Sequence, residues 1–156
     1  MDVDVVRTAR YWYPDDGGAV WLEGFWPVGD SGLLLAREAP ELRERGLHLA
    51  SLAGGRHHLE GLTSAGAQPP APLALRRDAA NVHDPSAIAV ETAAGAQVGW
   101  IPRELAAGLA PRIDRGERWS ALALRERRAS PRDPREGLTL LLAAARELRL
   151  RIRGDQ

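Results

Sequence analysis

The 156-residue sequence contains no cysteine and no lysine. Without cysteine it forms no disulfide and offers no thiolate ligand for zinc. Without lysine it has neither a Walker-type phosphate loop nor a Schiff-base nucleophile. No apolar run approaches the roughly 18 residues of a membrane span, and the acidic start MDVDVVRTAR lacks a signal-peptide pattern. These absences predict a soluble, cytoplasmic protein with no membrane partner.

All 21 basic side chains are therefore arginines, and they balance 21 Asp and Glu residues, so the formal net charge is zero. A neutral chain argues against a strongly basic nucleic-acid binder. The charge is unevenly spread, however, because residues 1–75 hold six Arg against ten acids and residues 76–156 hold fifteen Arg against eleven acids. This asymmetry allows one basic face on a neutral molecule.

Short strand patterns dominate the chain. The aromatic-rich start, residues 3–28, predicts a hairpin around the turn-forming PDDGG. SAIAVETAAGAQVGWIP predicts a second hairpin, with strands at 87–92 and 96–101. Further strands are predicted at 47–54, 72–78 and 118–128, and RELRLRI alternates like a strand, whereas LTLLLAAA fits either a strand or a helix.

One helix is predicted over residues 102–116, where Leu105, Leu109 and Ile113 form a single apolar stripe and Gly116 marks the end. Residues 37–45 fit a short helix or a charged connector, and SAGAQPPAP, residues 64–72, is predicted to be an irregular loop. Many short strands with one or two short helices predict a mainly β fold, a small OB-like or SH3-like β-barrel. We expect an N-terminal hairpin extension over residues 1–46 and the barrel over residues 47–156.

In the segment DAANVHDPSAIAV, residues 78–90, the apolar strand is preceded by residues that core packing does not require. Turn chemistry accounts for Asn81, Asp84 and Pro85, because Asx side chains bond nearby amides and proline fixes φ. Even so, His83 and Asp84 would stand exposed at the mouth of a hairpin. A carboxylate there repels phosphate but accepts a hydrogen bond from a sugar hydroxyl or a base amine. The residues alone leave both interpretations open.

Catalytic and metal-binding patterns are weak. The histidines His48, His57, His58 and His83 would have to converge with a carboxylate to hold a metal. Adjacent histidines on a strand point to opposite faces, so His57 and His58 would not share an ion there. No HExxH, GxSxG or paired-carboxylate pattern is present. We therefore expect no metal site, no cofactor and no catalytic residue, and a binding module rather than an enzyme.

Two stretches, LRRDAANVHDPSAIAV and AGAQVGWIPRELAAGLAPRID, resemble the HIRAN domain family. That family has the signature Asn-x-(aromatic)-Asp-x-x-Ala-Ile-x-Val, followed by a glycine-containing turn. A strand end of the form (Val/Ile)-Gly-(aromatic)-(Leu/Ile)-Pro-(basic) and a helix rich in Leu and Ala come next. Upstream, LHLASLAGGRHHLEG is similar to the family's first strand and its Arg-aromatic-aromatic corner. The resemblance covers about residues 47–145 and is specific because several spaced elements agree.

The resemblance implies an OB-like barrel that binds single-stranded DNA and captures its free 3′ end in DNA repair or processing. It implies that Asp84 meets the terminal 3′-hydroxyl and that Arg56 contacts the backbone or stacks on a base. His57 and His83 would occupy the positions of stacking tyrosines, Trp100 the barrel mouth, and Arg103 the basic start of the helix. Aromatic platforms combined with cationic side chains are how proteins hold single strands.

The sequence also departs from the family. Histidine replaces tyrosine at His57 and at His83, and imidazole stacks less well, so we expect weaker binding that strengthens as pH falls toward about 6. We expect a stand-alone, bacterial-type member, nucleoid-associated if it binds DNA, that acts alone, as an oligomer, or with a DNA-processing enzyme or helicase. Two rival functions stay open: a protein-interaction domain that has lost DNA binding, and a metal-dependent hydrolase using His57, His83 and Asp84.

Overall fold

A computed structural model describes residues 1–15, 18–128 and 135–155, with side chains described except at 8–23 and 155. Within these ranges the strands are β1 Asp2–Asp15, β2 Gly18–Pro27, β3 Leu47–Ser51, β4 Pro72–Arg77, β5 Ile88–Thr92, β6 Gln97–Trp100, β7 Ser120–Arg128, β8 Arg135–Ala143 and β9 Arg149–Asp155. The α-helices are α1 Pro40–Glu44, α2 Leu59–Leu62 and α3 Arg103–Asp114, and 3₁₀ turns cover Gly55–His57 and Ala65–Ala67. None of the described helices is long and apolar enough to cross a membrane.

Six strands close a small barrel. Antiparallel pairing runs in the order β3–β8–β7–β4–β5–β6. A bridge between Ala53 and Trp100 then joins the end of β6 to the chain just after β3, through two backbone hydrogen bonds of 2.8 Å. A β-carbon on Gly99 would lie 2.5 Å from the Ala53 carbonyl oxygen, so this close approach requires glycine. Closure pairs backbone groups that an open edge would leave free.

A second layer branches from the barrel at β7. The start of β7 pairs with β4 through Ala121 and Leu122, whereas its end, from Arg125 to Arg128, pairs with β2. Strand β2 pairs with β1, and β1 pairs in parallel with β9. We call β1, β2 and β9 together with α1 the N-terminal layer, although β9 comes from the end of the chain.

Strands β3, β7 and β8 are therefore buried on both faces. In β8, Leu140 and Leu142 point into the barrel core, whereas Leu141 and Ala143 point toward the N-terminal layer. Strands covered on both sides read as continuous apolar runs, which explains why LTLLLAAA shows no alternation. The barrel core also includes Leu62, Ile88, Val90, Val98, Ile101 and Leu109, and the second core includes Val3, Val5, Phe25, Leu42, Leu49 and Leu124.

The prediction of a mainly β fold with a small barrel, short helices and an N-terminal hairpin is confirmed. The helix predicted over residues 102–116 spans Arg103–Asp114, and Gly116 follows it with a φ of 93°. Residues 37–45 contain α1, and the undecided segment after residue 137 belongs to strand β8. The loop predicted at 64–72 was wrong in part, since Ala65–Ala67 form a 3₁₀ turn and β4 begins at Pro72. The centre of the predicted PDDGG turn, residues 16–17, lies outside the described residues.

Candidate nucleic-acid interface

The loop from β4 to β5 is ordered by its own polar side chains. The Asn81 Oδ1 accepts hydrogen bonds from the backbone amides of His83, at 2.9 Å, and Asp84, at 3.1 Å. One carboxylate oxygen of Asp84, Oδ1, accepts from the Ser86 amide at 2.9 Å. These are Asx turns, so the turn interpretation holds for both residues. The hydrogen bonds of these turns leave the second carboxylate oxygen of Asp84, Oδ2, unused.

Arg77 anchors this loop to the far end of α3. Its guanidinium donates to the carbonyl oxygens of Ala87, at 2.7 Å, and Pro85, at 2.9 Å. The same group pairs with both oxygens of Asp114, at 3.0 and 3.2 Å. Arg77 was not among the predicted site residues. The signal that could have identified it is an arginine at the last position of a strand before an Asx-rich turn.

The tip of the loop is presented to solvent. Val82 is 89% exposed and His83 is also exposed. Because Arg77 and Asn81 fix the backbone on either side, this apolar side chain and this imidazole are held out on a constrained loop. Such a tip loses little conformational freedom when a ligand settles on it.

Asp84 and Arg103 face each other where the loop meets the start of α3. The free Asp84 Oδ2 lies 3.9 Å from the Arg103 Nε. The Asp84 side chain is 22% exposed, whereas that of Arg103 is 79% exposed. A long ion pair whose cation is mostly exposed contributes little stability. Both charges therefore remain available to a ligand that reaches the first turn of the helix.

Trp100 lies between the loop and the next turn of the chain. Its backbone pairs with Ala89 of β5 on one side and with Ala53 on the other. Gly54, with a φ of 68°, passes so close that an added β-carbon would lie 3.0 Å from the Trp100 Cδ1. The His58 ring meets the indole edge-on, with centroids 6.4 Å apart. The half-buried Trp100 ring is thus fixed at the rim of the barrel.

Arg56 and His57 lie on the 3₁₀ turn that precedes α2, so the opposite-face geometry of a strand does not apply to His57 and His58. Both are exposed, and their side chains make no hydrogen bond or ion pair with the described residues. His57 lines a groove of about 500 Å³ with His58, Gln97 and Ser64. The structure therefore places His58, which was not among the predicted site residues, next to Trp100, and His57 one residue away in the sequence.

The six predicted residues fall into two neighbouring groups. Asp84 and Arg103 contact each other, and His83 stands beside them on the loop tip. Trp100 contacts His58 on the other side of the strand end, and Arg56 and His57 lie on the adjoining turn. Only two residues separate Trp100 from Arg103, so the end of β6 connects the two groups.

The fourth histidine lies elsewhere. His48 is half-buried in β3, with its ring 5.5 Å from that of Trp119, and burial followed by the charge of Arg112 lowers its pKa. In the part of the chain that the structure describes, no three His, Asp or Glu side chains are grouped to hold a metal ion.

The HIRAN domain family matches residues 48–128, just over half of the chain. Two solved structures are similar: the HIRAN domain of human HLTF and a protein from Lactobacillus plantarum. The human domain is 23% identical over 63% of this chain and 76% of that one, with a TM-score of 0.48. The bacterial protein is 22% identical over 61% of this chain and 91% of that one, with a TM-score of 0.46. No curated protein matches the chain at a significant level.

Proposed function

Because this chain belongs to the HIRAN domain family, whose members are DNA-binding modules, we propose that it binds single-stranded DNA at the 3′-hydroxyl end and serves DNA repair or processing. One observation carries the proposal: a rigidly held tryptophan at the barrel rim lies three residues from an aspartate–arginine pair. An aromatic ring beside one accepting oxygen and one exposed guanidinium matches the three chemical parts of a DNA terminus, which are base, sugar hydroxyl and phosphate.

Trp100 serves as the stacking platform for a terminal base. Stacking on an aromatic side chain contributes about 1–3 kcal/mol per base and tolerates any sequence. Its backbone pairing on both sides supports this role, because the ring needs no rearrangement before a base arrives. His58, packed edge-on against the indole, supports the ring, while the exposed His57 and His83 contact neighbouring bases.

Asp84 and Arg103 divide the recognition of the terminus between them. Asp84 Oδ2 accepts a hydrogen bond from the 3′-hydroxyl, and it repels a 3′-phosphate. Arg103 turns toward the preceding phosphate, helped by the free backbone amides at the start of α3. Arg56 contacts the backbone beyond the Trp100 ring. The weak ion pair of 3.9 Å supports this division, because little is lost when each group turns to the ligand.

We further propose that residues 47–156 form the DNA-binding region and that residues 1–46 form an extension. The protein then works in the cytoplasm on the nucleoid, beside a DNA-processing enzyme or helicase. The family match at residues 48–128 supports the first part. The pairing of β1 with β9 shows that the extension is not a detached arm, since the last strand completes its sheet.

The test compares a fluorescent single strand ending in a 3′-hydroxyl with the same strand ending in a 3′-phosphate. The informative variant is Asp84→Asn, which keeps an oxygen to accept from the Ser86 amide but removes the charge. We expect wild type to prefer the hydroxyl end by about tenfold, the value of one hydrogen bond to a charged group, and Asp84→Asn to lose that preference.

Asp30→Asn is the matched control, because Asp30 is 94% exposed and, among the described residues, its side chain pairs only with Arg45, outside the site. It should keep the full preference. Equal wild-type affinity for the two strands would overturn end recognition. Absence of binding to either strand at low salt would overturn DNA binding altogether and leave the protein-interaction function.

A further inference from the structure

The outer face of β3, β7 and β8 changes character along its length. Its first part is apolar and lies under the N-terminal layer. Its second part is polar. Here Ser51 of β3 pairs with Thr139 of β8. On the other side of β8, Thr139 pairs with Arg125 and Gly137 pairs with Arg127, both in β7. A β-carbon on Gly137 would meet nothing within 4 Å, so the strand is open to a ligand at this point.

Arginines surround this polar part. Arg56 and Arg127 line a groove of about 160 Å³ whose other polar lining residues are Ser51, Thr139 and Glu136. Arg37 reaches the same place, and its Nη2 donates to the Ser51 Oγ at 2.7 Å. We call the surface formed by Arg37, Ser51, Arg56, Arg127 and Thr139 the basic groove.

The charge of the basic groove is not neutralised within the described residues. Arg37, Arg56 and Arg127 are all exposed, and none of them has a carboxylate within ion-pair distance there. By contrast, Arg76, Arg77 and Arg112 are each paired with an acid. Among the described residues that line the groove, Glu136 is the one acidic residue.

A buried cation lies close by. Burial, and then the charge of Arg37, lower the pKa of Arg125 to about 10. Arg125 itself is engaged, with its guanidinium carbon 3.6 Å from the centre of the Trp26 ring and an Nη1 donating to the Phe25 carbonyl oxygen. Positive charge is therefore concentrated under and around the basic groove. Charges arranged this way attract an anion.

We propose that the basic groove holds phosphates of the DNA backbone that lie upstream of the 3′ end bound at Trp100. This inference rests on the proposed function and extends it. The turn around Arg56 connects the two places, because Arg56 lines the groove while His58, two residues later, contacts Trp100. Planar guanidinium groups grip phosphate oxygens in two places, and the Ser51 and Thr139 hydroxyls add donors.

The inference gives the N-terminal region a part in binding. Arg37 lies outside the matched residues 48–128, yet it is held at the groove by Ser51, inside them. A strand that fills both places is longer than one that reaches only Trp100. Barrels of the OB type bind about 4–16 nucleotides, so both lengths are reasonable ligands.

The experiment measures the affinity of wild type for strands of about 4 and about 16 nucleotides, each with a free 3′-hydroxyl. The variants are Arg37→Gln, Arg127→Gln and Glu136→Gln. We expect the two arginine variants to bind the long strand severalfold more weakly and the short strand as wild type does. Each should lower the slope of log affinity against log salt by about 0.7, the value for one phosphate contact on a single strand.

Glu136→Gln is expected to bind the long strand more tightly, a result that a folding defect would not produce. Arg115→Gln is the matched control, since Arg115 is exposed at the end of α3 and has no ion pair within the described residues. If wild type binds both strands but the variants leave the affinity for the long strand unchanged, the basic groove is overturned and the proposed function stands. If wild type binds neither strand, the proposed function fails and the groove with it.

Discussion

The N-terminal layer packs on three strands of the barrel, β3, β7 and β8, but the two regions differ in how they end. The barrel closes on itself at Ala53 and Trp100, and the turns around that closure carry the candidate site. The layer ends in β9, which pairs with β1 on one side. Some of its charges pair within the layer, since Asp4 pairs with Arg151 and Arg153. The barrel therefore positions the candidate site, while the layer covers the apolar part of the outer face of β3, β7 and β8.

The sharpest comparison of the two regions uses neighbouring residues of β8. Leu140 faces the barrel core and Leu141 faces the second core, and both are fully buried. Truncating a buried leucine to alanine costs about 2–5 kcal/mol, because transfer energy is lost and a cavity remains. We expect Leu140→Ala and Leu141→Ala to lower the free energy of unfolding by similar amounts in urea titrations, with one transition in each.

Leu33→Ala is the control, since Leu33 is 71% exposed and should change stability by no more than about 0.5 kcal/mol. If Leu141→Ala left the urea midpoint unchanged, or separated the curve into two transitions, the layer would be an independent addition. The idea of one shared sheet would then be wrong.

Two glycines allow each region to be disturbed separately. In the barrel, alanine at Gly99 would press against the Ala53 carbonyl; in the layer, alanine at Gly24, where φ is 133°, would press against the Leu124 carbonyl. Overpacking of this kind costs about 1–3 kcal/mol. We expect both variants to be destabilised, but only Gly99→Ala to lose affinity for single-stranded DNA beyond that, because it displaces Trp100.

Binding is measured at a temperature where both variants are folded. Gly108→Ala, on the open face of α3, serves as the opposite control and should stabilise by up to about 1 kcal/mol. Equal loss of DNA affinity in Gly24→Ala and Gly99→Ala would mean that the closure of the barrel does not position the binding residues.

Local patterns predicted the elements that bury one face. The stripe of Leu105, Leu109 and Ile113 places α3 correctly, and hairpin signals place β5 and β6. The same reasoning could not decide on β8, because Leu140 and Leu141 are both buried and periodicity vanishes when two cores share a strand. That information lies in long-range pairing with β3 and β7, which no window of sequence contains.

The sequence likewise allowed only part of the candidate site to be predicted. The resemblance selected Asp84, Trp100 and Arg103, and the fold brings them to one end of the barrel. It selected His57 by position in a motif, whereas the contact with Trp100 is made by His58, since a 3₁₀ turn rotates the two side chains differently from a strand. Arg37 could not be found this way, because its place beside Ser51 depends on how the N-terminal layer packs.

The stabilising contributions of the two regions should be lost at different pH values, because different groups titrate in each region. Burial and Arg112 lower the pKa of His48 from its usual value near 6.5, so the folded barrel resists a proton that the unfolded chain accepts. Stability is then lost as pH falls below about 6.5. In the layer, the hydrogen bond from Arg151 lowers the pKa of Asp4 below its usual 3.8. That contribution persists above this value and is lost only below it.

The smallest effect that we predict is a difference between variants in the pH at which the stability of the protein declines. Urea midpoints measured between about pH 8 and pH 5 should fall for wild type and for Asp4→Asn, but much less for His48→Gln. Below about pH 4 the order should reverse, with Asp4→Asn losing less stability than His48→Gln. His57→Gln is the matched control, because His57 is exposed and should leave the decline above pH 5 as in wild type. A histidine that protonates equally well in the folded and unfolded states gives stability no pH dependence. If His48→Gln lost stability as steeply as wild type between pH 7 and pH 5, the surroundings of His48 beside Trp119 would not resist its protonation.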